Sequence, residues 1–264
     1  MPEYRSWSQL SDYEKCPASY RLKRIDKAWS RPAAWLPMGT AVHTGVEAWE
    51  NSLQTLSLDE VIKIGQEAYT EDINAYLSES PNTRVWASSG PYMGPEDIIR
   101  RQGLVTVHLA NYIRYYTVTK PTRKPTTYTN EDGAEVPAVE LPFAIDLGGV
   151  EVRGKIDKIE KDSKTGIIRV VDVKTGADPG STDQLTVYRV AMEDQYETEI
   201  TKGSFFMTKR GTPTRDKDLT ITSRDEIVNR FGEADTGIRE ERWDPKVGDH
   251  CLRCDVNDSC PFWK

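Results

Sequence analysis

The hydrophobic pattern changes period about halfway along the chain. In residues 39–53, Val42, Val46 and Trp49 recur at helical spacing, and Ala41, Gly45 and Ala48 are small enough for a close neighbour. Residues 58–77 and 95–116 predict two more helices. Pro, Gly, Ser and Asn in residues 78–94 predict a loop between them. Near the start, Ser8 can cap a helix over residues 9–27, with a turn or kink at Pro17. From Val136 the period becomes two. Val139, Leu141, Phe143 and Ile145 alternate with Glu140, Pro142, Ala144 and Asp146, a half-buried strand whose proline suits an edge. Gly148-Gly149 predicts a hairpin turn into a strand over residues 150–160. Lys164-Thr165-Gly166 turns into a nearly continuous apolar strand, residues 167–174, suited to a sheet centre. A helix over 182–195, a strand over 203–208, a short strand over 219–222 and a helix over 223–232 complete the pattern. Ser223 and Glu226 have capping-box spacing. The order of elements predicts an α/β or α+β core with a helical N-terminal portion.

Composition narrows the class. The 264 residues (29.9 kDa) are 37% apolar and 29% charged, a globular balance that can bury a sizeable core. No repeat is visible, and no apolar run reaches membrane-spanning length. The first residues lack a signal-peptide core, so a cytoplasmic, reducing location is expected. A net charge of −7 argues against a broad basic clamp on duplex DNA but leaves room for local patches. An acidic metal pocket would itself add to the negative total.

The densest chemistry lies in Gly154-Lys155-Ile156-Asp157 and Val170-Val171-Asp172-Val173-Lys174-Thr175-Gly176. Two antiparallel strands joined by a short turn would bring Asp157 and Asp172 close enough to share a cation. Asp172 and Lys174, two apart, share one face of their strand. The Val173 carbonyl can also face the cation. Hard oxygen ligands suit Mg²⁺ or Mn²⁺, and a lysine beside them can position or deprotonate water. That set is what metal-assisted phosphodiester hydrolysis requires. Surface charge at strand ends is the alternative for a bare Asp-x-Lys, but an apolar central strand should not carry two charges without reason.

G-x-x-D followed by an apolar strand ending in D-x-K-T-G resembles the PD-(D/E)XK nucleases. More narrowly, the chain is similar to the RecB-like branch. Gln184-Leu185-Thr186-Val187-Tyr188 matches that branch's Q-x-x-x-Y, and Gly39-Thr40-Ala41-Val42-His43 matches its early G-x-x-x-H. The resemblance implies a restriction-endonuclease-like core, a mixed central sheet flanked by helices. It implies catalytic roles for Asp157, Asp172 and Lys174, and metal ligation by His43, Asp157, Asp172 and the Val173 carbonyl. It also implies that Gln184 and Tyr188 hold DNA. Glu140 is expected to be surface charge and is left outside the site. His108 and His250 have no motif around them and are expected to be structural or surface groups.

The four cysteines are Cys16 and a C-terminal C-x2-C-x5-C formed by Cys251, Cys254 and Cys260. Their spacing is compatible with zinc or an iron–sulphur cluster. Cys16-Pro17 with the C-terminal C-x2-C-x5-C-P resembles the iron–sulphur branch of RecB-like nucleases, shared by AddB-type helicase-nucleases and CRISPR-adaptation exonucleases. That resemblance implies a [4Fe–4S] cluster on the four cysteines, tying the chain ends together. One nuclease domain is therefore expected over residues 1–264. Its helical part covers about 1–125, its catalytic core about 135–235 and its cluster-bound C-terminal tail about 243–264.

Three basic stretches are candidate DNA contacts: Arg21 to Arg31, Lys202 to Lys217, and Arg114 to Lys124, the last interleaved with Tyr115 and Tyr116. For each alone, a solvated face is the better expectation. No G-x-x-x-x-G-K-[ST] loop is present, so no motor accompanies the site. The expectation is a metal-dependent exonuclease on single-stranded DNA or DNA ends, in recombination, repair or CRISPR adaptation. It would be free of membranes, able to form oligomers, and served by a recombinase, helicase or integrase partner. An endonuclease or flap nuclease with the same site, and a non-cutting DNA-binding subunit, are the alternatives.

Overall fold

The computed structural model describes residues 3–130 and 132–263. Helix α1 (Trp7–Lys15) is capped by Ser6 rather than Ser8: the Ser6 backbone is extended and its hydroxyl accepts from the Gln9 N–H at 3.3 Å. The expected single helix over 9–27 is broken. Cys16, as the residue before Pro17, is pushed into extended backbone, and the chain restarts as α2 (Pro17–Tyr20) and a π-helical turn. Helix α3 (Trp35–Asn51) begins a turn earlier than expected, because Pro37 sits in the first turn, where a missing N–H is no loss. Helix α4 (Leu58–Glu79) opens on a capping box of Ser57 and Glu60, and α5 (Gly94–Arg114) runs into a π-helical turn over Tyr115–Thr119. These three long helices form one layer.

Small residues set the spacing of that layer. A methyl group at Gly65 would lie 2.6 Å from Leu109 Cδ1 and 3.3 Å from the Ala41 carbonyl, and one at Gly45 would lie 2.7 Å from Leu109. Gly65→Ala is therefore expected to destabilise by about 1–3 kcal/mol through overpacking. A denaturant midpoint equal to wild type would contradict this.

Strands β1 (Arg123–Pro125), β2 (Thr127–Thr129) and β3 (Glu135–Pro137) precede the first expected strand and escaped sequence reading, each being only three residues long. Strand β4 (Val139–Asp146) turns at Gly148-Gly149 into β5 (Glu151–Asp162). Strand β6 (Ile168–Lys174) follows, then α6 (Asp183–Gln195) and β7 (Lys202–Met207). The main sheet is mixed. Strand β6 is central, antiparallel to β5 and parallel to β7, while β1 and β4 lie along the outer side of β5. Pro142 is on the edge strand, as expected.

The expected strand over 219–222 does not form. Two-residue strands β8 (Thr212–Pro213) and β9 (Lys217–Asp218) pair with β7 instead, and Leu219 turns into the core. The last helix, α7 (Arg224–Arg239), runs well beyond residue 232, because Phe231, Ala234 and Ile238 continue its buried stripe. Its cap is one-sided: Ser223 accepts from the Glu226 N–H at 3.1 Å.

One face of the sheet, with Val171, Val173 and Phe206, packs on α3, α4 and α5. The other, with Val170, Phe205 and Met207, packs under α1, α6 and α7. This is an α/β fold with a mixed sheet between helical layers, compatible with a restriction-endonuclease-like core. Among the described residues, no helix is long and apolar enough to cross a membrane.

Candidate active site

The pairing of β5 with β6 runs from Lys161↔Ile168 to Lys158↔Val171 and stops one residue before Asp157 and Asp172. The strands separate there, and the two aspartates occupy the opening. Both are nearly inaccessible to solvent. Asp157 Oδ2 accepts from the Val173 N–H at 2.7 Å, which holds the carboxylate against the next strand. Lys174 Nζ pairs with Asp172 Oδ2 at 2.7 Å and donates to Gln184 Oε1 at 2.9 Å. Gln184 Nε2 in turn donates to the Tyr188 hydroxyl at 2.7 Å, and that hydroxyl lies 3.4 Å from Asp157 Oδ1. The four-residue spacing on α6 puts Gln184 and Tyr188 on one helical face, as expected.

Gly154 has a structural reason in this motif. It stands opposite Phe143 in the ladder, and a methyl group there would lie 2.6 Å from the ring. The ring fills that space and packs edge-on to Tyr188, with centroids 6.2 Å apart.

His43 arrives from α3. Its Nε2 is 3.0 Å from the Val173 carbonyl, and its Nδ1 is 3.2 Å from Glu140 Oε1 and 3.8 Å from Asp157 Oδ2. Both ring nitrogens thus face oxygens that only accept, so the ring is held doubly protonated. Burial works against that charge, but Asp157 and Glu140 outweigh it and push the pKa up to about 9. Burial and the Asp172 charge push the Asp157 carboxyl up to about 7 against the pull of His43. The Asp172 carboxyl is also raised by burial, with Lys174 opposing.

Glu140 corrects the expectation that it is surface charge. Its carboxylate forms, with His43 and Asp157, a group whose ligand atoms all lie within 4.8 Å of one another and could hold a metal ion. The ladder pairs Val139 with Lys158 and Leu141 with Ile156 but skips the position between them, where Glu140 takes a left-handed backbone with φ 48°, which simple alternation along the strand does not reveal. Glu47, one turn from His43 on α3, was also missed. Burial and the Glu140 charge raise its carboxyl pKa, while Lys155 and His43 oppose.

His108 is buried, as expected of a structural group. Thr208 Oγ1 donates to the Lys174 carbonyl at 2.9 Å, so it accepts from His108 Nδ1 at 2.7 Å. Burial, with Arg101 and Lys209 nearby, pushes its pKa down to about 4. Unfolding exposes a ring that titrates near the ordinary value of roughly 6.5. The unfolded chain therefore binds the extra proton between those values, and this contribution to stability is lost as pH falls from about 6.5 toward 4. His108→Gln is expected to reduce the loss of stability between pH 7 and pH 5, measured by urea midpoints. An unchanged pH dependence would contradict the assignment.

The four cysteines are free thiols that line one cavity between the chain ends. The Lys246 N–H points at Cys16 Sγ at 3.5 Å, and Ser19 Oγ lies 3.5 Å from Cys254 Sγ. His250 lines the same cavity. Around them, Lys23 pairs with Asp255 at 2.6 Å and Arg31 with Asp258 at 3.0 Å, while Arg24 pairs with Asp12 at 2.9 Å. Much of the first basic stretch thus fastens the N-terminal region internally, largely to the tail, and is not free for DNA.

A family model for the PD-(D/E)XK nuclease superfamily matches residues 5–261. The gene 69 protein of Mycobacterium phage L5 is 41% identical, over 98% of this chain and 97% of its own length. The gene 69 protein of Mycobacterium phage D29 is 42% identical over the same shares. A solved structure titled "Crystal structure of SSO0001" aligns at 14% identity with a TM-score of 0.34, covering 96% of this chain and 94% of that one. With a family match running from one end of the chain to the other, across all of these carboxylates and the lysine, the chain belongs to the PD-(D/E)XK nuclease superfamily.

Proposed function

We propose that the chain is a Mg²⁺- or Mn²⁺-dependent DNA exonuclease acting on single-stranded DNA or DNA ends. The observation that carries this is the group of Asp157, Glu140 and His43, whose ligand atoms lie within 4.8 Å of one another, beside the Asp172–Lys174 pair where β5 and β6 separate. The donor set fits a hard divalent cation: carboxylate oxygens, a peptide carbonyl at Val173 and one imidazole. When bound, the cation supplies charge stabilisation at phosphorus and a water of lowered pKa. Asp157, Asp172, Glu140 and His43 would hold it, and His43 would give up its extra proton to do so. Lys174, oriented by Asp172 and Gln184, positions the attacking water. Gln184 and Tyr188 orient the strand. Incubation with 5′- or 3′-labelled linear single strands reads polarity, and circular single strands separate exonuclease from endonuclease. Cleavage of circles would replace the exonuclease reading by the endonuclease one. The setting we propose is recombination, repair or CRISPR adaptation, with a recombinase, helicase or integrase as partner.

The same proposal includes a [4Fe–4S] cluster on Cys16, Cys251, Cys254 and Cys260. All four line one cavity, and a backbone N–H already points at one sulphur. Cys254→Ala is expected to lose iron and to melt several degrees lower, because binding energy that joins the chain ends is folding energy. An unchanged melting temperature with the iron gone would remove the stapling role.

A further inference from the structure

A cleft of about 350 Å³ opens where β6 ends, lined by Thr175 and Gly176, which directly follow Lys174. Successive Cα atoms are about 3.8 Å apart, so the Thr175 and Gly176 part of the wall has its Cα atoms within roughly 8 Å of the Lys174 Cα. Its other walls include Arg100 and Arg101 of α5, Lys209 after β7, and Trp35 at the start of α3. None of its lining residues is acidic, in a chain of net charge −7.

The charges are only partly answered. Asp97, buried beneath the arginines, lies 3.4 Å from Arg100 and 3.2 Å from Arg101. Arg101 also donates to Ser89, which fixes the loop forming the rim, and its guanidinium lies 5.9 Å from the Trp35 ring centre. Arg100 keeps about a third of its side chain exposed, and Lys209 is exposed with no ion pair among the described residues. One carboxylate against three cations leaves the cleft with two uncompensated positive charges beside an aromatic ring. Phosphate and a stacked base are the chemistry that meets both.

We propose that this cleft holds the phosphate next to the scissile one on a single DNA strand. Arg100 and Lys209 pair with its oxygens, and Trp35 stacks on the adjoining base. The proposal rests on the nuclease reading above and adds where the strand leaves the site. It implies that strand position is set by a contact outside the metal-holding group.

The test measures binding in a Lys174→Ala background, so that cleavage does not interfere, by fluorescence anisotropy of a labelled single-stranded oligonucleotide across a salt series. Arg100→Gln with Lys209→Gln is expected to raise the dissociation constant at least about tenfold at low salt. It should also reduce the log–log salt slope by about 1.4, at roughly 0.7 per lost phosphate contact on single strands. Trp35→Ala should weaken binding about 5- to 100-fold with the slope unchanged. Lys63→Gln, on the exposed face of α4, serves as the control. Lys209→Gln alone keeps the test independent of folding, since that side chain is exposed and unpaired, and should lower the slope by about 0.7. Slopes and affinities equal to the control would overturn the proposal. Failure of the nuclease reading looks different: the chain with its native Lys174 would leave DNA intact with metal present, while the binding comparison would still report on the cleft.

Discussion

Asp157→Asn is expected to abolish metal-dependent DNA cleavage, by at least about 10³-fold, since several kcal/mol of charge stabilisation depends on the cation it would hold. The same change is expected to raise the melting temperature of the metal-free protein. Asp157 is buried and feels the charges of Asp172 and Glu140 from the two neighbouring strands. His43, with Nδ1 3.8 Å away, and the Val173 N–H at 2.7 Å oppose that repulsion. Asparagine keeps an oxygen for the Val173 N–H and removes the charge. The measurement is a thermal melt in chelator beside a cleavage assay with Mg²⁺ or Mn²⁺. Retained cleavage would remove Asp157 from the chemistry. A lower melting temperature would show that the acidic group is not strained without its cation.

Lys158→Met is expected to be among the most destabilising single changes, by about 3–5 kcal/mol. Lys158 has no solvent exposure. Its Nζ lies 2.5 Å from Glu50 Oε1, 2.8 Å from the Tyr112 hydroxyl and 3.1 Å from Glu160 Oε1, and it sits 4.0 Å from the centre of the Tyr116 ring. Tyr112 and Tyr116 donate to Glu50 and Glu160 at 2.7 and 2.6 Å. The cluster joins α3, the end of α5 and β5 on the face of the sheet away from α6. Removing the lysine leaves two buried glutamates without their cation. The double variant Lys158→Met with Glu50→Gln should recover part of the loss, because one of those charges goes as well. Losses that simply add would mean the pair is not coupled.

This cluster also shows where sequence reading stops. Asp157-Lys158-Ile159-Glu160 reads as a strand with alternating charge, and nothing local says that Lys158 and Glu160 face a helical layer. Their partners, Glu50 and Tyr112, are distant in sequence and belong to helices whose packing fixes the contact. Strand period and a short turn set Asp157, Asp172 and Lys174 side by side, whereas Gln184, Tyr188 and His43 came from the family resemblance; in the structure a chain of hydrogen bonds and close contacts links all six. Glu140 was not legible, because it sits where the ladder skips a pair and its own backbone is left-handed, although the Gly148-Gly149 turn was read correctly. The three long helices of the first half and the central position of β6 followed from period alone. The short strands β1 to β3 did not, because three residues carry too little alternation to read. Ser6 and Ser8 were confused because both can cap, and only the extended backbone at Ser6 decides.

The most direct measurement is digestion of 5′- and 3′-labelled linear single-stranded DNA by anaerobically purified protein with Mg²⁺ or Mn²⁺, beside Lys174→Ala. Stepwise loss from one end that requires metal and disappears in the variant is the expected result. Intact DNA with the unaltered protein, folded and supplied with metal, would contradict a nuclease at this site.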